Sequence, residues 1–361
     1  MKVLKNKLRH FDKLRRKYTH VLEQWLYNRL NNTSSLNHHL LTPDQVKTVL
    51  VLRNNKRIGN MYFMLPFIHA LKAAYPSANI DLMVNKPSQI QVFDNLGLTQ
   101  IFASQFSFKA FINYAKLMLR LRKNTYDMII MPYRSTTDTI TAAILSGKNK
   151  IAFAHDLHAS IFNHSVKMPN RHPHLALSSL ALLTQLGHPT ITTNAQLQLT
   201  KKERQHGKYE IGNLTQYGQL CITFFRGARG KKIISDLAWR KIMIEFEHAS
   251  DKNIKWIEIL SPDISTPLLA GGATYQTANL RHLGATLACS DLFICGDTGP
   301  LHLANASGAQ CVGLFNHTSP LIYGCLNPNN LNITHINNLN AESILKHFQL
   351  TLSQPNLKKA G

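Results

Sequence analysis

Apolar residues fall along this chain in short runs separated by turn formers, the pattern of buried parallel strands alternating with helices. Thr48–Arg53, Asn79–Val84 and residues 126–131 read as strands in the first half. Residues 219–225, 256–260, 292–295 and 311–315 read as strands in the second. Helical spacing predicts helices over 61–74, with Pro66 inside or breaking it, and over 108–123, 138–145 and 175–186. The second half has counterparts over 236–247, 278–288, 301–307 and 340–352. The two halves repeat one strand–helix logic. A chain of 361 residues exceeds one ordinary domain, so two α/β domains of Rossmann-like kind are expected.

The first 30 residues have a different pattern. Leu4, Leu8, Phe11, Leu14, Tyr18, Val21, Leu22, Trp25, Leu26 and Leu30 recur at three- and four-residue spacing among nine Lys and Arg, against Asp12 and Glu23 alone. This is a basic amphipathic helix, suited to a membrane interface with Phe11 and Trp25 as anchors, and equally to docking on the body of the protein. Polar stretches divide the rest. The expected organisation is helix and linker over 1–44, a first domain over 45–190, an interdomain linker over 191–218 and a second domain over 219–361. No uncharged apolar run reaches the length of about 18 residues that a transmembrane helix needs.

Charge narrows the partners. Against 19 acidic residues stand 41 Lys and Arg, a net charge of +22 that attracts nucleic acid, anionic lipid or phosphorylated lipopolysaccharide. No nucleic-acid-binding motif accompanies it, so no nucleic-acid partner is expected. The five Cys form no CxxC and sit largely in predicted core elements, which reads as reduced, buried thiols of a cytosolic protein. The His-rich run 154–174 lacks metal-ligand spacing. No metal site is expected.

Candidate chemistry concentrates in residues 291–315. A strand ends at Gly296-Asp297-Thr298-Gly299-Pro300 and a helix starts at once, with Gly308 as its C-cap. Free N–H groups at such a helix start favour an anion, most simply a phosphate, and Asp297 and His302 put a carboxylate and an imidazole beside it. The same residues also suit a plain βα turn with a capping Asp. The loop Arg226-Gly227-Ala228-Arg229-Gly230-Lys231-Lys232 follows another strand and suits a diphosphate, with Gly227 admitting close approach and Arg229, Lys231 and Lys232 supplying charge.

The ordered set Asp297-Thr298-Gly299-Pro300-Leu301-His302-Leu303-Ala304, then Gly308, Gly313-Leu314-Phe315 and Thr318-Ser319-Pro320, resembles the C-terminal signature of the heptosyltransferase-like glycosyltransferases, glycosyltransferase family 9. Arg53, Arg57-Ile58-Gly59-Asn60, Leu65-Pro66, Ala70-Leu71, Tyr75-Pro76 and Ile80-Asp81 resemble its N-terminal signature. The resemblance implies a GT-B type fold, two facing Rossmann-like domains with the site in the cleft between them. It implies an inverting, metal-independent transfer from a nucleotide sugar, heptose from ADP-heptose, onto a lipopolysaccharide or lipooligosaccharide core, with no cofactor. Gly227, Arg229, Lys231, Lys232, Thr298, Gly299 and His302 would bind the donor. Asp297 would act on the sugar, and Arg57, Gly59 and His155 would face the acceptor.

At position 60 the family's general base is an Asp, and this chain has Asn60, whose amide cannot take a proton. Asp138, Asp156 and His155 are alternative bases, as is an anionic group on the acceptor. The other class of reading is a non-catalytic GT-B relative that binds nucleotide or anionic glycolipid as a scaffold. The expected location is cytoplasmic, peripheral on the inner face of the cytoplasmic membrane through the basic N-terminal helix.

Overall fold

The structure is a computed structural model and describes residues 39–105, 107, 110–155, 160–168, 174–188, 193–264 and 266–351. The N-terminal stretch expected to form a basic helix, Asp156 and the tail from residue 352 lie outside the described residues. The first domain runs β1 (Thr48–Arg53), α1 (Gly59–Tyr62), α2 (Leu65–Ala74), β2 (Asn79–Val84), β3 (Gln100–Ala103), α3 (Phe111–Leu121), β4 (Thr125–Met131), α4 (Thr136–Ile144), β5 (Ser146–Phe153) and β6 (His164–Val166). Helices α5 (Leu175–Ser178), α6 (Leu180–Gln185) and α7 (Lys201–Leu214) follow. The second domain is β7 (Leu220–Phe225), α8 (Asp236–Ala249), β8 (Ile254–Ile259), β9 (Ala273–Tyr275), α9 (Leu280–Leu287), β10 (Leu292–Gly296), α10 (Gly299–Ser307), β11 (Cys311–Phe315), α11 (Pro320–Tyr323), β12 (Leu331–Thr334) and α12 (Ala341–His347).

Each domain holds one six-stranded sheet, ordered β3-β2-β1-β4-β5-β6 in the first and β12-β11-β10-β7-β8-β9 in the second. Every pairing is parallel. The two orders are the same doubly wound topology, whose order reverses between β1 and β4 and again between β7 and β10. Ligands of such sheets bind outside the strands' carboxyl ends at these switch points. The central strands are covered on both faces, which is why they read as continuous apolar runs: β7, β10 and β11 are buried throughout. An aspartate ties the amino ends at each switch point. Asp127 of β4 accepts from the Lys47 and Thr48 amides at 2.9 and 3.0 Å. Asp291, ahead of β10, accepts from the Cys221 amide of β7 at 2.7 Å.

Three expectations change. The helix expected over 61–74 is two helices, with Pro66 inside the first turn of α2, where its missing N–H is harmless. The stretch 191–218 is not a bare linker, since α7 occupies it. Thr200 caps α7 by accepting from the Glu203 amide at 3.2 Å, while Glu203 accepts from the Thr200 amide at 2.7 Å. Gly207 of α7 lies against the Ala285 carbonyl of α9, leaving no space for a Cβ and letting the helices touch. The irregular run 154–174 contains β6, whose pairing extends the first sheet.

Candidate functional site

The second domain's switch point is built around the turn between β10 and α10. Thr298 is the N-cap residue with extended backbone, Pro300 sits in the first turn and Gly308 closes the helix at φ +87°. Amides at the start of α10 have no carbonyl ahead of them within the helix, so they present donors to the crevice. The Thr298 hydroxyl does not cap them. It lies 3.2 Å from the Cys295 sulfur.

Asp297 is buried at the carboxyl end of β10 and its carboxylate is shared by three side chains. Lys232 Nζ donates to Oδ2 at 2.5 Å and the Thr318 hydroxyl donates to the same oxygen at 2.6 Å. His302 Nε2 lies 3.4 Å from Oδ1. Lys232 Nζ also reaches the Asp297 carbonyl at 3.2 Å. Burial alone would raise the pKa of this carboxyl. The hydrogen bonds from His302, Lys232 and Thr318 outweigh it and hold Asp297 at about 2.

The first domain meets this cluster with α1. A Cβ on Gly59 would stand 3.3 Å from His302 Cδ2, and a Cβ on Gly299 would stand 3.1 Å from Ile58 Cγ2. Two glycines therefore allow the starts of α1 and α10 to approach across the cleft. Asn60 follows Gly59 in the same short helix, its amide donating to the Arg57 carbonyl at 3.3 Å. Phe63, just past α1, packs edge-on against His302 at 4.6 Å and His174 at 5.6 Å and stacks on Tyr323 at 6.4 Å between ring centroids. His174 Nε2 donates to the Gly324 carbonyl at 2.9 Å while its Nδ1 accepts from the Ala176 amide. The domains are thus joined beside the site as well as within it.

The expected residues separate into two groups. Gly59, Asn60, Lys232, Asp297, Thr298, Gly299 and His302 come together at the facing switch points. The others lie elsewhere, except Arg57, whose loop leads straight into Gly59. Arg229 is 91% exposed and pairs with Asp263 at 3.2 Å, and Lys231 is exposed, so of the three competing cations Lys232 is the one on Asp297. Gly227 has a packing role, its position backed by the Phe225 ring and Ile264. Arg226 is engaged by Glu258 at 2.5 Å and Asp236 at 3.1 Å. Arg57 is exposed, and His155 lies two residues beyond β5, two strands away from β1.

Asp138 is fully buried, and both its oxygens accept from the Asn54 amide at 2.9 and 3.1 Å, which fixes the loop leaving β1. Burial pushes it up to about 6 against the Asn54 bond and the Arg53 charge. Thr318, Phe63, His174 and Tyr323 had not been singled out as site residues. Only Thr318 had a signal, its place in the Thr-Ser-Pro run.

Two facing doubly wound domains with an anion-ready helix start in the cleft make up the GT-B type of fold. Residues 276–350 match the model of glycosyltransferase family 9 (heptosyltransferase), the segment that carries Asp297–Ala304, so the chain's resemblance to that family is shown. Lipopolysaccharide heptosyltransferase 3 of Escherichia coli is 22% identical over 286 residues, 73% of this chain and 82% of that protein. A family 9 glycosyltransferase from Veillonella parvula superposes with a TM-score of 0.70 at 17% identity, covering 86% of this chain and 91% of the other. The E. coli heptosyltransferase WaaC with ADP gives 0.65 at 17%, covering 84% and 99%.

Proposed function

We propose that this chain transfers a heptose from ADP-heptose to a lipopolysaccharide or lipooligosaccharide core, with inversion and without a metal ion. The observation that carries the reading is the Asp297–Lys232–His302 cluster at the start of α10, facing Gly59 and Asn60 across the cleft. The family match and the activities of the similar proteins support the donor and acceptor classes.

The chain's own groups suit each part of such a transfer. Two of the Lys232 ammonium donors lie on Asp297, and a third is available for a diphosphate oxygen beside the α10 amides, where charge develops as the nucleotide leaves. Asp297, ionised at any working pH, accepts from sugar hydroxyls. Asn60 positions the acceptor hydroxyl without deprotonating it. The proton passes to His302, whose Nε2 lies 3.4 Å from the Asp297 carboxylate, the logic of an acid-held imidazole. The excess of cations suits phosphorylated core and the anionic inner leaflet.

The test incubates the full chain with truncated lipopolysaccharide and a panel of nucleotide sugars, with and without a chelator, and reads mass gain. One heptose added from ADP-heptose, insensitive to chelator and lost in Asp297→Ala, is expected. Transfer of a different sugar would replace the donor, and nucleotide binding with no transfer from any donor would leave a binding protein of the same fold.

A further inference from the structure

Helix α3 has apolar groups on two opposite sides. Tyr114, Met118 and Leu121 bury its inner side in a core shared with β1, β4 and α4. Its outer side faces solvent, yet Ile112 is 69% exposed there and Leu119 is 66% exposed. These two positions are about two helical turns apart, so they share one side at its centre. Single exposed apolar residues are ordinary, but an aligned pair rimmed by charge marks a contact surface.

The rim is cationic. Lys116 lies between Ile112 and Leu119, one turn from each, and Lys123 follows one turn beyond Leu119. Arg120 and Arg122 flank the stripe on its two edges, and all four cations are exposed. No Asp or Glu occurs between Asp94 and Asp127. The neighbouring helix α4 has a single acid, Asp138, and it is fully buried. α8 offers a contrast. It also exposes an apolar pair two turns apart, Leu237 and Ile244, but sets it among Asp236, Glu245 and Glu247.

An apolar centre between Lys and Arg suits a bilayer interface, where the apolar groups enter the acyl boundary and the cations stay on the phosphates. Other occupants fit less well. The chain's own first 30 residues carry nine Lys and Arg against two acids and would meet α3 with like charge. A second copy of the same face would do so too. Position agrees with a flat surface. α3 and α4 cover one face of the first sheet in a core of first-domain residues alone, while the other face shares its core with the second domain. α3 therefore looks away from the second domain. Its first turn, with Ile112, stands on the carboxyl rim of the sheet, the rim from which the loop to Asn60 also leaves.

We propose that the outer side of α3 docks on an anionic phospholipid leaflet, with Ile112 and Leu119 seated below the headgroups and the four cations among them. This surface is separate from the N-terminal stretch and does not depend on which sugar is moved.

The experiment measures sedimentation of the full chain with vesicles of phosphatidylglycerol and phosphatidylcholine, and with phosphatidylcholine alone. One double variant joins Ile112→Ser to Leu119→Ser, and the other joins Lys116→Glu to Lys123→Glu. All four side chains are exposed, so the melting temperature should hold. The wild type is expected on the anionic vesicles alone. The serine pair should bind about tenfold more weakly. The glutamate pair should bind at least about twentyfold more weakly, since each cation near an anionic leaflet is worth about fivefold in affinity. Ile112→Trp adds a direct reading: its emission should shift to the blue on anionic vesicles by more than that of the wild type.

No binding by the wild type overturns the proposal, as does equal binding by the wild type and both double variants, which would put the contact elsewhere in the chain. Weakening in the glutamate pair alone, with no tryptophan shift, would leave charge attraction without seating and overturn it too. A wild-type dimer that the serine pair converts to a monomer would make the face an interface between copies instead. Transfer is assayed separately, so the two readings fail apart. A chain that transfers heptose but ignores the vesicles keeps the activity and loses this surface, and one that docks without transferring does the reverse.

Discussion

Gly59 and His302 meet closely across the cleft: a Cβ on Gly59 would stand 3.3 Å from His302 Cδ2, tighter than an ordinary van der Waals contact. Both residues belong to helices that start at a sheet's carboxyl edge, so this contact sets how closely the two switch points approach. His302 is fixed from two further sides, by Asp297 at 3.4 Å and by the edge of Phe63. The imidazole therefore has little freedom to retreat.

Gly59→Val is expected to push the domains apart. Overpacking of this kind destabilises by about 1–3 kcal/mol, and displacing Asn60 from Asp297 by even an ångström should cut transfer by about a hundredfold. Gly59→Ala, with one methyl, should show a smaller loss of the same sign. Steady-state transfer rates and urea unfolding check this. A valine variant with wild-type kcat/KM would mean that the close approach does not matter to transfer.

The carboxyl of Asp297 gives a pH signature. Its folded pKa of about 2 lies below the ordinary value of 3.8, so the unfolded chain binds more protons between those pH values. The stabilisation is fully present above about pH 4 and is lost as pH falls through about 2. It amounts to roughly 2 kcal/mol from the size of that shift. Asp297→Asn should be less stable than wild type at pH 7 by a margin that narrows toward pH 3 in denaturant melts. A margin independent of pH would assign the loss to packing.

Arg281 joins the two domains to α7. It is buried, its Nε lies 2.5 Å from Glu203 Oε1, and its other nitrogens reach the carbonyls of Gln91, Asp94 and Gln198. Glu203 loses by burial but gains more from Arg281 and the Thr200 cap, ending at about 2. Removing one partner of such a pair costs about 3–5 kcal/mol. Arg281→Ala should lower the melting temperature sharply, and Arg281→Lys should recover little of it, because an ammonium cannot reproduce the fork. Full rescue by lysine would show that charge alone carries the tie.

The fold was legible where residues face apolar neighbours on both sides. β1, β2 and β11 match their expected bounds, and the α10 turn was readable from Gly, Pro and Gly at fixed places. α7 was missed because only Gly207 and Ile211 of its fourteen residues are buried, leaving almost no apolar period to see. β6 and β9 have three residues each, too few for any pattern. Within the site, local motifs announced Asp297, Thr298, Gly299 and His302. No local rule could choose Lys232 over Arg229 and Lys231, because that choice depends on which way a 3₁₀ turn at 230–232 aims each side chain. Phe63 and His174 entered through contacts between domains, which no local pattern encodes.

β5 begins at Ser146, with Lys148, Asn149 and Lys150 interrupting its apolar run, and Lys150 supplies a last prediction. Its side chain is fully buried opposite Ile129 of β4, and its Nζ has no partner among the described residues. Burial pushes its pKa down to about 8 from the ordinary 10.5. Between those values the unfolded chain binds more protons, so stability rises with pH from about 8 to about 10.5, and the penalty is complete below pH 8. That penalty is on the order of 3 kcal/mol from the size of the shift. Lys150→Met keeps the length and discards the charge, and it should stabilise the protein at pH 7 by about 1–3 kcal/mol. The advantage should shrink toward pH 10 as the wild-type lysine loses its proton in both states. Urea melts of the two proteins at pH 7 and pH 10 decide it. A methionine variant less stable than wild type at pH 7 would mean that the buried ammonium is satisfied by a group it meets only in solution, and would send the search for that group to the α3–α4 face of the sheet.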